Sequence, residues 1–142
     1  MQVNEIMTRD VECARPDTTL QQAALKMQSL NVGSLPVCEN DQVIGMITDR
    51  DITIRATAEG RDPKDMRVRE VMTENVVFCF EDQQVGQAAE IMREHQIRRL
   101  PVLNHNRKLV GIVSLGDIAV ETGNDPLSGH TLERISEPAG TY

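Results

Sequence analysis

The pattern of apolar and polar positions is the same in the two halves of the chain. A short opening segment, VNEIMT or VREVMT, leads into an extended segment, VECAR or VVFCF. Residues with apolar side chains at helical spacing come next, and two short apolar runs typical of strands follow them. A second helix is predicted to begin near Asp49 in the first half and near Leu115 in the second. The pattern therefore predicts the order β-α-β-β-α twice.

The first predicted helix shows these signals most clearly. Thr19 and Gln22 form a capping box, in which each side chain bonds to the main-chain N–H of the other residue. The apolar positions of this helix are Leu20, Ala23, Ala24, Met27 and Leu30.

The two halves are copies of each other. Residues 3–37 align with residues 68–102 at an offset of 65, and one additional residue in the next loop changes the offset to 66. Such self-similarity is the signature of an internal duplication. The predicted segments are repeat 1 at residues 1–58, a polar linker at 59–67, repeat 2 at 68–122 and a C-terminal tail at 123–142.

A single repeat buries too little apolar surface on folding to be stable on its own. We therefore expect one α/β (α+β) module, in which the two β-α-β-β-α repeats pack with pseudo-twofold symmetry. In the tail, Thr131 is placed to cap a short helix whose apolar side would include Leu132 and Ile135.

Composition and charge narrow the range of possible functions. The net charge of −7 disfavours nucleic acid or an anionic membrane as the main partner, because both prefer a basic surface. No apolar run is long enough to span a bilayer, and no signal peptide is visible, which predicts a cytoplasmic location. The three histidines are dispersed, no metal-ligand spacing occurs, and no catalytic set converges. The sequence therefore predicts a protein that is not an enzyme and has no metal site.

One motif occurs near the end of each repeat, as GMITDRDI at residues 45–52 and GIVSLGDI at 111–118. A hydroxyl followed three residues later by an acid, before a helix, is also a capping box, which accounts for both polar residues. A glycine inside an apolar strand needs another cause, and close approach of a ligand or of another backbone is a common one. The alternative interpretation is a nucleotide site, in which the aspartate accepts hydrogen bonds from a ribose diol. The motif residues are Gly45, Thr48, Asp51, Gly111, Ser114 and Asp117.

The tandem β-α-β-β-α order, the LPV strand in each half and the repeated G-h-h-[ST]-x-x-D motif resemble a pair of CBS domains, a Bateman module. The resemblance covers roughly residues 3–122, and short stand-alone prokaryotic members are similar along nearly the whole chain. It implies clefts between the repeats that bind AMP, ADP or ATP, and in some members NAD or S-adenosylmethionine. Asp51 and Asp117 would hold the ribose, with Thr48 and Ser114 near the ribose or phosphate.

The residues before LPV differ between the repeats. The first has Gly33-Ser34, whereas the second has Arg98-Arg99. The resemblance implies that basic residues here contact phosphates, so AMP or ATP is the ligand expected, with one charged-ligand cleft and one that is different, weaker or empty. Two solvated surface arginines are the alternative. The resemblance also implies a homodimer, whose regulatory effect would pass through dimer geometry or a protein partner.

The cysteines leave a second function open. Cys13 lies in the first extended segment and Cys38 directly follows LPV, and related CBS proteins linked to the hypoxic response have cysteines at similar positions. The resemblance thus implies a possible Cys13–Cys38 disulfide, although reduced thiols are the ordinary state in the cytoplasm. Cys79 aligns with Ala14 and is predicted to be in the core. The alternatives to a ligand sensor are a thiol-responsive switch and a protein-interaction module without a ligand.

Overall fold

The computed structural model describes residues 1–122 together with Leu132, Arg134 and Ile135. The chain divides into two compact units. Residues 12–76 form the first-repeat unit, and residues 1–11 with 77–142 form the second-repeat unit. The opening segment of each repeat therefore belongs to the compact unit that carries the motif of the other repeat.

The first-repeat unit is built around a two-stranded antiparallel sheet. Its capping box is confirmed, since Thr19 Oγ1 accepts from Gln22 N at 3.1 Å and Gln22 Oε1 accepts from Thr19 N at 2.9 Å. The segment VECAR contributes only an isolated bridge between Ala14 and Val37 rather than a full strand. The elements are α1 (Leu20–Leu30), β1 (Ser34–Glu39), β2 (Gln42–Thr48), α2 (Asp49–Ile52), a π-helical turn (Thr53–Thr57) and α3 (Val68–Val71).

The second-repeat unit has a three-stranded sheet, whose strands lie in the order β3 (Cys79–Phe80), β4 (Arg99–Leu103) and β5 (Leu109–Ser114). The β3–β4 pair is parallel and the β4–β5 pair is antiparallel. Its opening segment forms a short 3₁₀ turn at Val3–Glu5. The elements are β3 (Cys79–Phe80), α4 (Val85–His95), β4 (Arg99–Leu103), β5 (Leu109–Ser114) and α5 (Leu115–Thr122). The predicted mixed α/β fold and the starts of the second helices are thus confirmed, whereas the first strand predicted for repeat 1 is reduced to an isolated bridge.

Each unit has its own apolar core. The cores are rich in Val, Leu, Ile, Met and Ala, as the scarcity of aromatic residues requires. Three of the alanines that the helices present, Ala23, Ala56 and Ala88, are buried in these cores. Two positions predicted on the apolar face of α1, Ala24 and Leu30, are instead exposed, because the face that packs is narrower than the sequence pattern.

The opening segments pair with the motif strands. Thr73 exchanges main-chain hydrogen bonds with Met46, at 2.9 Å and 2.8 Å. Thr8 exchanges the equivalent pair with Ile112, at 2.8 Å and 3.0 Å. The last residue of each opening segment therefore pairs with the motif strand of the other repeat.

The predicted linker is ordered where it meets α1. Met66 is buried, and its carbonyl accepts from Leu20 N at 3.0 Å, so it satisfies a free N–H at the start of the helix. In the tail, Leu132, Arg134 and Ile135 are helical, and Ile135 packs against the core of the second-repeat unit. The predicted cap Thr131 lies outside the described residues. In the part of the chain that the structure describes, no helix has the length and apolar character that a membrane span requires.

Candidate functional site

Both motifs form the capping boxes predicted from the sequence. Thr48 Oγ1 accepts from Asp51 N at 3.0 Å, and Asp51 Oδ2 accepts from Thr48 N at 3.0 Å. In the second repeat the corresponding distances, between Ser114 and Asp117, are 3.0 Å and 2.9 Å. The caps fix the position of each carboxylate at the junction between a strand and a helix.

The caps use only one oxygen of each carboxylate. The other oxygen of Asp51, Oδ1, lies 3.7 Å from a guanidinium nitrogen of Arg55, which donates to the carbonyl of Val71 at 2.7 Å. Among residues 1–120, no side chain bonds to Oδ1 of Asp117. A carboxylate has acceptor capacity for such additional donors. Each cap therefore leaves an acceptor that a ligand hydroxyl group can use.

The two motif glycines have a structural cause. A Cβ at Gly45 would lie 2.8 Å from Met72 Sδ and 2.9 Å from the carbonyl oxygen of Thr73. A Cβ at Gly111 would lie 2.7 Å from Met7 Sδ and 2.8 Å from the carbonyl oxygen of Thr8. Of the two causes that the sequence left open, close approach of another backbone is the one seen here. A contact between these glycines and a ligand stays a prediction.

The arginines of the second repeat lie beside its motif. Arg99 is the register partner of Ser114, and the carbonyl of Arg98 accepts from Leu115 N at 2.9 Å. Both arginine side chains are exposed. The structure thus places the backbones of these two arginines beside Ser114 and Leu115. Phosphate recognition by this group stays a prediction.

Two charged residues beside the first motif were missed as site residues. Arg55 approaches Asp51 and also lies 3.4 Å from Thr73 Oγ1. Asp49, at the predicted start of the second helix, has its carboxylate over Gly33. The spacing of Arg55, four residues after Asp51, was the available signal for the first contact. For the second, the signal was a glycine in repeat 1 where repeat 2 has an arginine.

Cys13 and Cys38 are brought together by the bridge between Ala14 and Val37. Ala14 N donates to the carbonyl of Pro36 at 2.8 Å, and Cys38 N donates to the carbonyl of Ala14 at 2.9 Å. Both cysteines are half-buried free thiols that share a side-chain hydrogen bond. That bond lowers the pKa of Cys13, and Lys26 lowers it further, although burial and Asp41 oppose the shift. The same bond, together with burial, raises the pKa of Cys38.

The remaining candidates have structural roles. Cys79 is buried, as predicted, and burial raises the pKa of its thiol to about 12. His105 lies on the surface, 2.6 Å from Asp82, and lowers the pKa of that carboxyl. Within the described residues, no group of three or more His, Cys, Asp or Glu side chains is arranged to hold a metal ion.

The comparisons with known proteins identify the family. The profile of the CBS domain matches residues 3–56 and 68–121, which is most of the chain. The chain belongs to the CBS-domain family. It contains two CBS domains in tandem, and the predicted repeat is confirmed. A curated relative, the CBS domain-containing protein YhcV of Bacillus subtilis, is 43% identical over 134 residues, with 94% of each chain covered.

Two solved structures are also similar. Hypoxic Response Protein I, solved with two coordinated zinc ions, has a TM-score of 0.77 and 36% identity, covering 84% of this CBS pair and 97% of that chain. The CBS domain pair of MJ0100, in complex with 5′-methylthioadenosine and S-adenosyl-L-methionine, has a TM-score of 0.77 and 28% identity, covering 88% and 98%. The fold is therefore that of a CBS pair, and the chain is a CBS-pair regulatory module.

Proposed function

We propose that this CBS pair is a non-catalytic sensor of adenosine-containing ligands. The observation that carries the proposal is the second oxygen of each motif carboxylate, which the capping box holds at a strand end without bonding to it. A charged acceptor in this position suits the two adjacent hydroxyls of a ribose. One similar structure, the MJ0100 pair, contains two adenosyl ligands. In this proposal Asp51 and Asp117 bind ribose, and the protein acts in the cytoplasm through a partner protein or its own dimer.

Phosphate recognition is assigned to the second repeat. Arg98 and Arg99 are exposed beside Ser114, and guanidinium groups bind phosphate oxygens in a two-pronged geometry. AMP and ATP are therefore the ligands favoured for the cleft that these arginines face.

Calorimetry of the wild-type protein with AMP, ADP, ATP, NAD and S-adenosylmethionine tests the proposal. The double variant Arg98→Ala/Arg99→Ala is expected to weaken AMP binding about tenfold or more, since charge-assisted hydrogen bonds contribute about 1.5–3 kcal/mol. Its affinity for adenosine, which has no phosphate, should change little. If no ligand binds the wild-type protein at millimolar concentration, the motifs are helix caps only and the proposal is wrong.

A thiol-responsive switch is the second candidate, because the bridge between Ala14 and Val37 brings Cys13 and Cys38 together and each thiol shifts the pKa of the other. A peroxide would oxidise the Cys13 thiolate to a sulfenic acid, and attack by Cys38 would then form the disulfide and release water. The disulfide would close a loop of about 25 residues and stabilise the fold by roughly 3 kcal/mol in the chain-entropy model. Mass measurement with and without reductant, alongside the nucleotide-binding test, separates this function from ligand sensing.

Alkylation by iodoacetamide should distinguish the three thiols. A lowered pKa means that the Cys13 thiolate forms at lower pH than in free cysteine. As the pH is raised, alkylation of Cys13 should therefore become fast at a lower pH than alkylation of free cysteine. Cys38→Ala removes the hydrogen bond and should move this rise to higher pH. Cys79 should stay unmodified while the protein is folded, because its thiol is buried and protonated. Equal rates for Cys13 and Cys79 would contradict this assignment.

A homodimer is the predicted assembly. Small helical residues such as Ala23, Ala24, Ala56 and Ala88 would let two helices approach closely, but Ala23, Ala56 and Ala88 are buried within their own units and do not supply its surface. Ile54 and Val120 occupy equivalent positions at an offset of 66, and their side chains are 50% and 80% exposed. Exposed apolar residues repeated in this way favour a twofold helix interface.

Light scattering at micromolar concentration should therefore give twice the mass of the chain. The double variant Ile54→Glu/Val120→Glu should give a folded monomer, whose melting temperature no longer depends on protein concentration. Leu25→Glu, which changes an exposed apolar residue on α1, is the control and should remain a dimer. A wild-type monomer would show that the dimer prediction is wrong.

A further inference from the structure

The two thiols of the first-repeat unit lie where the second-repeat unit has apolar side chains. At the offset of 65, Cys13 is equivalent to Phe78 and Cys38 is equivalent to Leu103. The strand pairing agrees, because Cys38 and Leu103 both follow the point where the register of their hairpin shifts. Leu103 is buried and Phe78 is partly buried, so an apolar pair fits this place in the fold. The first repeat has two reactive groups there instead.

Two charged residues near the thiols also differ from their equivalents. Lys26 of α1 is equivalent to Ile91 of α4, which packs against the core of its unit. Asp41, in the turn between β1 and β2, is equivalent at the offset of 66 to Arg107, whose guanidinium lies 5.1 Å from the centre of the Phe78 ring. All four positions therefore differ between the repeats, and those of repeat 2 form an apolar cluster beneath one arginine.

The ammonium group of Lys26 is fixed beside Cys13. Lys26 Nζ donates to the main-chain carbonyl of Cys13 at 2.9 Å, in a partly buried contact. Among residues 1–120, no carboxylate forms an ion pair with this ammonium group. Its charge is therefore not matched by an acidic side chain, and it can stabilise an anion that forms on the neighbouring thiol.

The same surroundings act in opposite directions on the two thiols. Cys38 and then Lys26 lower the pKa of Cys13, while burial and Asp41 raise it. The pKa of Cys38 is raised by the Cys13 thiol, by burial and by Asp41. The thiolate, not the thiol, is the nucleophile, so Cys13 is the member of the pair that attacks first and Cys38 is the member that keeps its proton.

We infer that Lys26 is the positioning residue that makes Cys13, rather than Cys38, the site of modification by hydroperoxides. The inference rests on the thiol switch, the second candidate of the proposed function. The Cys13 thiolate attacks the hydroxyl oxygen of the peroxide, the O–O bond breaks, and the other oxygen leaves as an anion that takes a proton from water. The sulfur is oxidised by two electrons to a sulfenic acid, and the peroxide is reduced. Cys38 then attacks this sulfur, and its proton leaves with the sulfenic hydroxyl as water.

The pH profile of alkylation, followed by peptide mapping, tests the role of Lys26. Lys26→Met removes the charge and keeps an unbranched side chain, so the pH at which Cys13 reacts at half its maximal rate with iodoacetamide should rise by roughly one pH unit. Lys26→Arg keeps the charge and should restore most of the wild-type profile. Lys64→Met, which removes the same charge from an exposed position in the linker, is the control and should leave the profile unchanged. Asp41→Asn should move the profile to lower pH.

Trapping of the sulfenic acid tests which thiol the peroxide modifies. Treated with hydrogen peroxide and dimedone at neutral pH, the Cys38→Ala protein should give an adduct on Cys13. Adding Lys26→Met should slow its formation roughly threefold, because the loss of thiolate is partly offset by the greater nucleophilicity of a more basic sulfur. The Cys13→Ala protein should give no adduct on Cys38 under the same conditions.

Three results would overturn the inference. An unchanged pH profile in Lys26→Met would show that the ammonium group does not act on Cys13. A profile that Lys26→Arg does not restore would mean that packing, and not charge, is responsible. An adduct that forms on Cys38 as fast as on Cys13 would remove the distinction between the thiols. The switch itself fails separately, if peroxide gives a Cys13 adduct that depends on Lys26 but the wild-type protein forms no disulfide.

Discussion

Asp117→Ala is expected to weaken the binding of AMP roughly ten- to hundredfold. A hydrogen bond to a charged acceptor contributes about 1.5–3 kcal/mol, which converts to this range of affinity. Oδ2 of Asp117 is used by the cap, at 2.9 Å from Ser114 N, so the loss of ligand affinity would come from Oδ1. Calorimetry of the variant and the wild-type protein measures the difference.

The control for this prediction separates capping from binding. Thr19→Ala removes a capping box of the same design from α1, where no ligand is proposed. Loss of a cap costs about 0.5–2 kcal/mol of stability, so both variants should melt at lower temperature. Only Asp117→Ala should lose affinity for AMP. If both variants bind AMP equally well, Asp117 is a helix cap and not a ribose ligand.

Gly111→Ala is expected to destabilise the protein by about 1–3 kcal/mol, the range found for overpacked sites. The added methyl group would lie 2.7 Å from Met7 Sδ and 2.8 Å from the carbonyl oxygen of Thr8. The thioether can move, but the carbonyl belongs to a backbone that is hydrogen-bonded to Ile112 at 2.8 Å and 3.0 Å. Gly45→Ala should behave in the same way against Thr73. Unfolding in urea, followed by circular dichroism, measures both variants.

Gly86→Ala is the matched control for the glycine variants. Gly86 lies in α4, and a Cβ built there meets no atom within 4 Å. Alanine is favoured over glycine in a helix by about 1 kcal/mol, so this variant should be more stable than the wild-type protein. A Gly111→Ala protein with wild-type stability would show that the opening segment does not pack closely against the motif strand.

The features that could be predicted from the sequence are those with local causes. A capping box such as Thr19 with Gln22 involves residues three apart, and the repeat places the same signals in both halves. Cys79 could be assigned to the core because it aligns with Ala14, and both residues pair with an LPV strand.

Pairings between segments that are far apart in the chain could not be predicted in this way. The opening segments VNEIMT and VREVMT are so similar that either would fit against either motif strand, and the sequence does not say which pairing occurs. For the same reason, the glycine pattern could not distinguish a ligand from a backbone. Helical spacing also placed Ala24 and Leu30 on the apolar face of α1, although both are exposed.

Because each opening segment belongs to the compact unit of the other repeat, a cut between the repeats does not separate the two compact units. A cut in the linker would leave each fragment with most of one sheet, and with the opening segment that pairs with the motif strand of the other sheet. Neither fragment would fold completely on its own, because Gly45 and Gly111 would each lose the backbone segment that packs against them. The two fragments would instead be partners for complementation, each supplying the opening segment that the other lacks. Duplication has thus produced two copies that are interdependent rather than modular, and a single repeat excised at its sequence boundaries would be an incomplete building block.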